Sequence, residues 1–238
     1  YLIFCTKRGT IKKTLLEAYS RPRANGVIAI NLVEGDQLVG VGLTDGESEI
    51  LIANRNGRAV RFHESAVRAM GRNATGVRGM TLDDDGRDEV IGMLTVAQDT
   101  EETILVISEQ GYGKRSVVED YRKTNRGTKG VKTLNITDKT GELVAIRPVT
   151  DEHDLMIINK SGITIRVHAR DISVQGRATQ GVRIIDLKKR GDEIASVCQV
   201  LSEEDSDEEA FDAESLPENG SATPIREEEG TKSELPQE

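Results

Sequence analysis

At 238 residues the chain is long enough for one large or two ordinary domains, and its formal net charge is −9. No apolar run approaches the ~20 residues that cross a bilayer as a helix, so no membrane partner is expected. Cys5 and Cys198 lie far apart and in no paired spacing, which reads as two small buried side chains in a reducing, cytoplasmic setting rather than a disulfide framework.

The chain opens at Tyr1, without Met and inside the apolar run Leu2-Ile3-Phe4-Cys5, which reads as a piece of a longer protein beginning partway through a strand. A glycine follows at Gly9, then Lys12-Lys13. Gly26-Val27 comes next, with Arg21 and Arg23 flanking Pro22, and then the acidic turn Asp36-Gln37-Leu38-Val39-Gly40. The same order recurs three times. Ile50-Leu51-Ile52-Ala53 leads to Gly57, Arg61, Arg72, Gly76-Val77 and Asp88-Glu89-Val90-Ile91-Gly92. Ile104-Leu105-Val106-Ile107 leads to Gly111, Lys114-Arg115, Arg126, Gly130-Val131 and Gly141-Glu142-Leu143-Val144-Ala145. Leu155-Met156-Ile157-Ile158 leads to Gly162, Arg166, Arg177, Gly181-Val182 and Asp192-Glu193-Ile194-Ala195-Ser196. The expected repeats are about 1–49, 50–103, 104–154 and 155–201.

The first glycines stand 48, 54 and 51 residues apart, and in the last three repeats the Gly-Val glycine falls 19 residues after them. Each apolar tetrad is too short for an amphipathic helix and reads as a strand buried on both faces. The glycine reads as a two-residue primed hairpin turn, because it supplies positive φ without steric cost. The small residue at Gly40, Gly92, Ala145 and Ser196 points to a neighbouring backbone that excludes a large side chain. About four short strands per repeat predict an all-β, propeller-like array of about four blades, since one blade alone cannot bury its faces. The Trp-Asp and Gly-His marks of the commonest propeller repeat are missing.

Residues 202–238 hold 14 acidic and two basic side chains, leaving 30 basic and 27 acidic in residues 1–201. This is the charge asymmetry of a nucleic-acid surface with an acidic tail, and the tail is expected to be disordered. In a radial array Lys13, Arg61, Arg115 and Arg166, beside Lys12 and Lys114, would form one basic ring. Arg21, Arg23, Arg72, Arg126 and Arg177 would form another, joined by Arg68, Arg78, Arg122, Lys123, Lys129, Lys132, Arg170 and Arg183. Such a belt fits the phosphates of bent duplex DNA, with weak sequence reading. The alternative is that periodic basic residues bridge neighbouring blades. A second functional alternative is a propeller-like disc that binds proteins.

No catalytic constellation is legible. His63, His153 and His168 lack metal-ligand spacing, and Gly111-Tyr112-Gly113-Lys114-Arg115 lacks the remaining positions of a phosphate-binding loop. Asp83-Asp84-Asp85 reads as a solvated turn.

The stretches Val67-Arg68-Ala69-Met70-Gly71-Arg72-Asn73-Ala74-Thr75-Gly76-Val77-Arg78-Gly79, Gly111-Tyr112-Gly113-Lys114-Arg115 and Thr128-Lys129-Gly130-Val131, with Gly9 and Lys12-Lys13, resemble the C-terminal DNA-wrapping domain of bacterial DNA gyrase A subunits. The resemblance covers residues 1 to about 201. It implies a six-bladed β-pinwheel whose blades exchange strands, a basic perimeter that wraps double-stranded DNA, and a place beside the gyrase B subunit in an A2B2 assembly on the nucleoid. It further implies negative supercoiling by the holoenzyme, with ATP and magnesium used elsewhere and no cofactor in this part. The family's box Gln-Arg-Arg-Gly-Gly-Lys-Gly is absent, so the resemblance implies that the first blades lie ahead of Tyr1. The related topoisomerase IV subunit is the nearest alternative.

Overall fold

A computed structural model describes residues 1–84, 86–98, 100–187 and 191–201; the predicted acidic tail 202–238 lies outside the described residues. Each apolar tetrad becomes the second strand, counted from the inside, of its own sheet. In the first sheet the order is β3 (Leu38–Leu43), β1 (Leu2–Thr6), β2 (Thr10–Thr14) and β6 (Val77–Arg78). The second runs β7 (Val90–Val96), β4 (Glu49–Asn54), β5 (Arg58–His63) and β10 (Val131–Lys132). The third runs β11 (Leu143–Val149), β8 (Thr103–Ser108), β9 (Tyr112–Val117) and β14 (Val182–Arg183). The fourth has three strands, β15 (Ile194–Leu201), β12 (His153–Asn159) and β13 (Thr164–His168). Neighbours within every sheet are antiparallel. No α-helix occurs among the described residues, only single 3-10 turns after each hairpin.

The inner strands meet in succession, β3 on β7, β7 on β11 and β11 on β15, so the Gly-Val strands lie at the opposite, outer edges. Burial on both faces follows from the two-residue period of a strand. Ile50 and Ile52 pack toward the first blade with Ile3, Cys5 and Ile11, whereas Leu51 and Ala53 pack toward the third with Ile104 and Val106. Leu105 and Ile107 in turn face Leu155 and Ile157 of the fourth blade. Each of these larger aliphatic side chains is almost fully buried, which contributes about 1.5–3 kcal/mol apiece relative to exposure. The core is therefore a series of seams between blades.

The last three repeats each supply four strands, divided between two sheets, but the first supplies only three, because residues 27–33 form no strand. The Gly-Val strand of one repeat completes the outer edge of the preceding blade: Val77 opposite Ile11, Val131 opposite Ala59, Val182 opposite Gly113. The carbonyl of the hairpin glycine receives the departing strand. Gly79 and Met80 donate to Gly9, Thr133 and Leu134 to Gly57, and Ile184 and Ile185 to Gly111, at 2.8–3.3 Å. A Cβ on these glycines would stand 2.7–2.8 Å from the carbonyl oxygens of Met80, Leu134 and Ile185. The recurring glycine thus serves the neighbouring repeat as well as its own turn.

Three local expectations change. Cys5 is buried, but Cys198 on β15 is exposed. The hairpin connection is three residues long, as in Lys7-Arg8-Gly9, closed by Gly9 N–H donating to Thr6 O at 2.9 Å. Glycine sits at its end, with φ between +74° and +88° at the four sites, as three-residue hairpins with a terminal left-handed residue require. The small residue of the inner strand is opposed by a side chain rather than by backbone. A Cβ on Gly92 would fall 2.7 Å from Cγ2 of Ile146 in the next blade, and one on Gly40 would fall 3.6 Å from Cβ of Met93.

Candidate nucleic-acid interface

The basic residue four positions after each hairpin glycine is not an exposed ring. Lys13, Arg61 and Arg115 are buried, and so are their neighbours Lys12 and Lys114. The cause is a segment of the next repeat that crosses the seam and forms a parallel bridge there: Lys13 with Ala69, Arg61 with Lys123, Arg115 with Val174. Met70 N–H donates to Lys13 O, Thr124 N–H to Arg61 O, and Gln175 N–H to Arg115 O, each at 2.8 Å. The side chains point into the same seam. Arg61 donates to the carbonyls of Val118 at 2.6 Å and Tyr121 at 3.1 Å, and Arg115 donates to that of Ile172 at 2.8 Å. These are the carbonyls of the 3-10 turns 118–120 and 169–171 and their following residues.

Carboxylates complete the clamps. Lys13 pairs with Glu64 at 3.2 Å, Arg61 with Glu49, Arg115 with Asp151 and Arg166 with Asp154 at 2.6 Å. Burial alone would raise Glu49 and Glu64, but the cations and donors around them outweigh it, and both carboxyls lie below their ordinary value. Glu64 receives Thr44 Oγ1, the amides of Gly46 and Ser48, and Lys13 Nζ. Lys12 Nζ donates to the carbonyls of Ala29 and Arg72, and Lys114 Nζ to that of Gly176 at 2.6 Å. Burial lowers the Lys114 ammonium to about 8. Arg166 differs because β13 is an open edge: its side chain is 46% exposed.

The Gly-Val arginines divide. Arg126 is half-buried and donates to the carbonyls of Ala66 and Arg78, and Arg177 matches it with those of Asp120 and Lys132, at 2.8–2.9 Å. Both therefore pin the exchanged strand. Arg72 is also half-buried, but its guanidinium makes no hydrogen bond among the described residues.

The exposed part of the predicted belt lies on the seam-crossing segments and outer strands. Arg68, Arg78, Arg122, Lys123, Lys129, Lys132, Arg170 and Arg183 are exposed there, with Arg21 and Arg23 on the corresponding segment of the first repeat. Lys123 pairs with Glu49, Lys129 with Asp83 at 2.7 Å, and Arg183 with Asp186 at 3.6 Å. Among the described residues, Arg21, Arg23, Arg68, Arg122 and Arg170 pair with no carboxylate. Arg68 and Arg122 follow Val67 and Tyr121, the buried C-caps of equivalent turns, so the same fold position presents a free guanidinium in successive blades.

Sequence reasoning missed the opposite end of the seams. Lys7 pairs with Glu89 at 2.9 Å, and Arg55 reaches Glu89, Glu109 and Glu142, linking three blades. The main chain repeats this link: Val90 donates to Lys7 O, Leu143 to Arg55 O and Ile194 to Glu109 O at 2.8–2.9 Å. The signal was present, since all three acceptors stand two residues before a hairpin glycine. Among the described residues no cluster of His, Cys, Asp and Glu could hold a metal, and Asp83 is held by Lys129 and Asn56.

Comparison with known proteins adds the family. The description "DNA gyrase C-terminal domain, beta-propeller" matches residues 1–45, 48–97, 102–150 and 153–197, one match per repeat. The chain is 46% identical to the DNA gyrase A subunit of Staphylococcus aureus (strain MRSA252) over 217 residues, covering 90% of this chain and 24% of that protein. It thus spans about a quarter of the length of such curated relatives. A solved C-terminal domain of DNA topoisomerase IV superposes with a TM-score of 0.78 at 28% identity, covering 84% of this chain and 62% of that one. A solved DNA gyrase A C-terminal domain gives 0.73 at 25% identity, covering 84% and 66%. Four matched repeats, strand-exchanged blades and the identity to gyrase A subunits agree: this chain belongs to the DNA gyrase C-terminal β-propeller family.

Proposed function

We propose that this chain binds duplex DNA without sequence specificity and bends it along the outer perimeter of the blades, as the DNA-wrapping part of a gyrase. The observation that carries this reading is the recurrence of unpaired, exposed guanidinium groups at seam-crossing positions, Arg68 and Arg122 above all, with Arg170 on the next crossing segment. Arginine on a convex, repeating surface meets successive phosphates as the duplex curves, and counterion release supplies most of the affinity. The seam clamps hold the blades in register, so the arginines keep their spacing under the load of a bent duplex, whose curvature costs of order 1–6 kcal/mol per site. The gyrase B subunit and the remainder of the A subunit are the proposed partners, in the cytoplasm on the nucleoid. ATP and magnesium would act elsewhere in that assembly to drive negative supercoiling.

A duplex labelled at both ends with a fluorescence donor and acceptor tests the reading. Saturating protein should bring the ends together, and added salt should reverse the change. Binding that leaves the end-to-end distance unchanged would reduce the role to simple attachment. No binding would favour a protein-interaction disc.

A further inference from the structure

Arg72 departs from its two counterparts. Arg126 and Arg177 each commit their guanidinium to a turn carbonyl and to the carbonyl two residues past a Gly-Val glycine. The residue in the second place for Arg72 is Ile28, but residues 27–33 form no strand, and Ile28 is 60% exposed. Lys12 Nζ meanwhile takes the Ala29 and Arg72 carbonyls, placing a second cation beside the guanidinium. That leaves the Arg72 donors without a protein acceptor among the described residues.

Arg72 lines a hollow of about 560 Å³ shared with Arg23, Asn25, Gly26, Val27, Ile28 and Asn73. Among the described residues no carboxylate lines it. The seam hollows elsewhere differ, one carrying Glu49 and Glu119 and another Glu101, Asp151 and Glu152. The walls are tied together: Asn31 Nδ2 donates to Asn73 O at 2.7 Å, and Tyr19 Oη to Ala29 O at 3.1 Å. A lining that includes two arginines and two asparagines supplies a donor set that matches the oxygens of a phosphate, and Val27 and Ile28 add an apolar part suited to a sugar.

We propose that this hollow is a phosphate seat, which takes a phosphodiester group of the duplex and anchors the DNA path on the first blade. The proposal rests on the DNA-binding reading for its ligand but not for its anion chemistry, and two experiments on the 238-residue chain separate them. Inorganic phosphate titrated against the wild type should give saturable NMR shifts of the Asn25 and Asn73 side-chain amides. The shifts should vanish in Arg23→Gln/Arg72→Gln, whose guanidiniums hold no structural bond. For a short duplex, the same pair should weaken binding about ten-fold or more, the loss expected for charge-assisted bonds. The exposed pair Arg68→Gln/Arg122→Gln should leave the phosphate shifts as in the wild type. Absent shifts, shifts that persist in the Arg23/Arg72 variant, or an undiminished duplex affinity in that variant would overturn the seat. Phosphate shifts with no duplex binding would keep the anion site and remove the DNA reading. Duplex binding with no phosphate shifts would do the reverse.

Discussion

The Arg61 guanidinium donates to the Val118 carbonyl 2.6 Å away, tying β5, the third strand of its blade counted from the inside, to the turn that begins the next crossing segment. Two kinds of periodic arginine follow from this contact. Those four residues past a hairpin glycine close seams, and those after the C-capping residue of the turn face outward.

Exchanging one of each kind should therefore separate stability from binding. Arg61→Met removes one of the two cations on the buried Glu49 carboxylate and the donor to the Val118 and Tyr121 carbonyls, and should cost roughly 3 kcal/mol in denaturant unfolding. Arg122→Gln should change stability by less than about 0.5 kcal/mol and lower the salt slope of duplex binding by about one. Equal stability losses would mean that the clamp is not what holds the seam.

Glycine substitutions test the exchanged strand. Gly57→Ala combines a left-handed backbone with a Cβ 2.8 Å from Leu134 O, and should cost about 2–3 kcal/mol and loosen β10. Gly162→Ala meets nothing within 4 Å, so only its φ of +88° opposes it, at about 1 kcal/mol. Thermal unfolding of the two variants should rank them in that order.

The repeat period, the tetrad strands and the hairpin glycines were legible because each rests on local chemistry: apolar runs, positive φ and fixed offsets. The destination of the Gly-Val strand was not, since nothing local distinguishes Val77 pairing with Ile11 from pairing within its own repeat; only the family resemblance implied exchange. The same blind spot misplaced the basic residues. Lys13, Arg61 and Arg115 carry the composition of a surface, and the segment that covers them comes from the next repeat. Their partners Glu64 and Glu49 were visible as letters but not as neighbours. Arg68 and Arg122 each stand 11 residues after a hairpin glycine, Gly57 and Gly111, an offset that the belt reading leaves unused, whereas Arg170 stands eight after Gly162.

Acid should weaken the first seam. Glu64 titrates below its ordinary 4.5 when folded, so its contribution is fully present above that value and is lost as pH falls through the lower folded value. Glu64→Gln should flatten the fall in stability below about pH 4.5. A variant with the same acid profile as the wild type would show that other carboxylates dominate.

Alkali acts in the opposite sense at Lys114. Its folded value of about 8 lies below the ordinary 10.5, so the unfolded chain binds more protons between the two. The cost of the buried charge is constant below pH 8 and is relieved as pH rises toward 10.5, making this contribution to stability increase across that window. Lys114→Met should remove that increment when unfolding free energy is followed across the same range.

The central claim is that the exposed seam-crossing arginines, not the buried periodic ones, hold the DNA. The salt dependence of duplex affinity tests it most directly, comparing the wild type with Arg68→Gln/Arg122→Gln/Arg170→Gln. Log affinity should fall linearly with log salt, and the triple variant should reduce the slope by roughly two to three, near 0.9 per phosphate contact, with an unchanged melting temperature. A wild-type slope near zero, or a triple variant with the wild-type slope, would contradict the account.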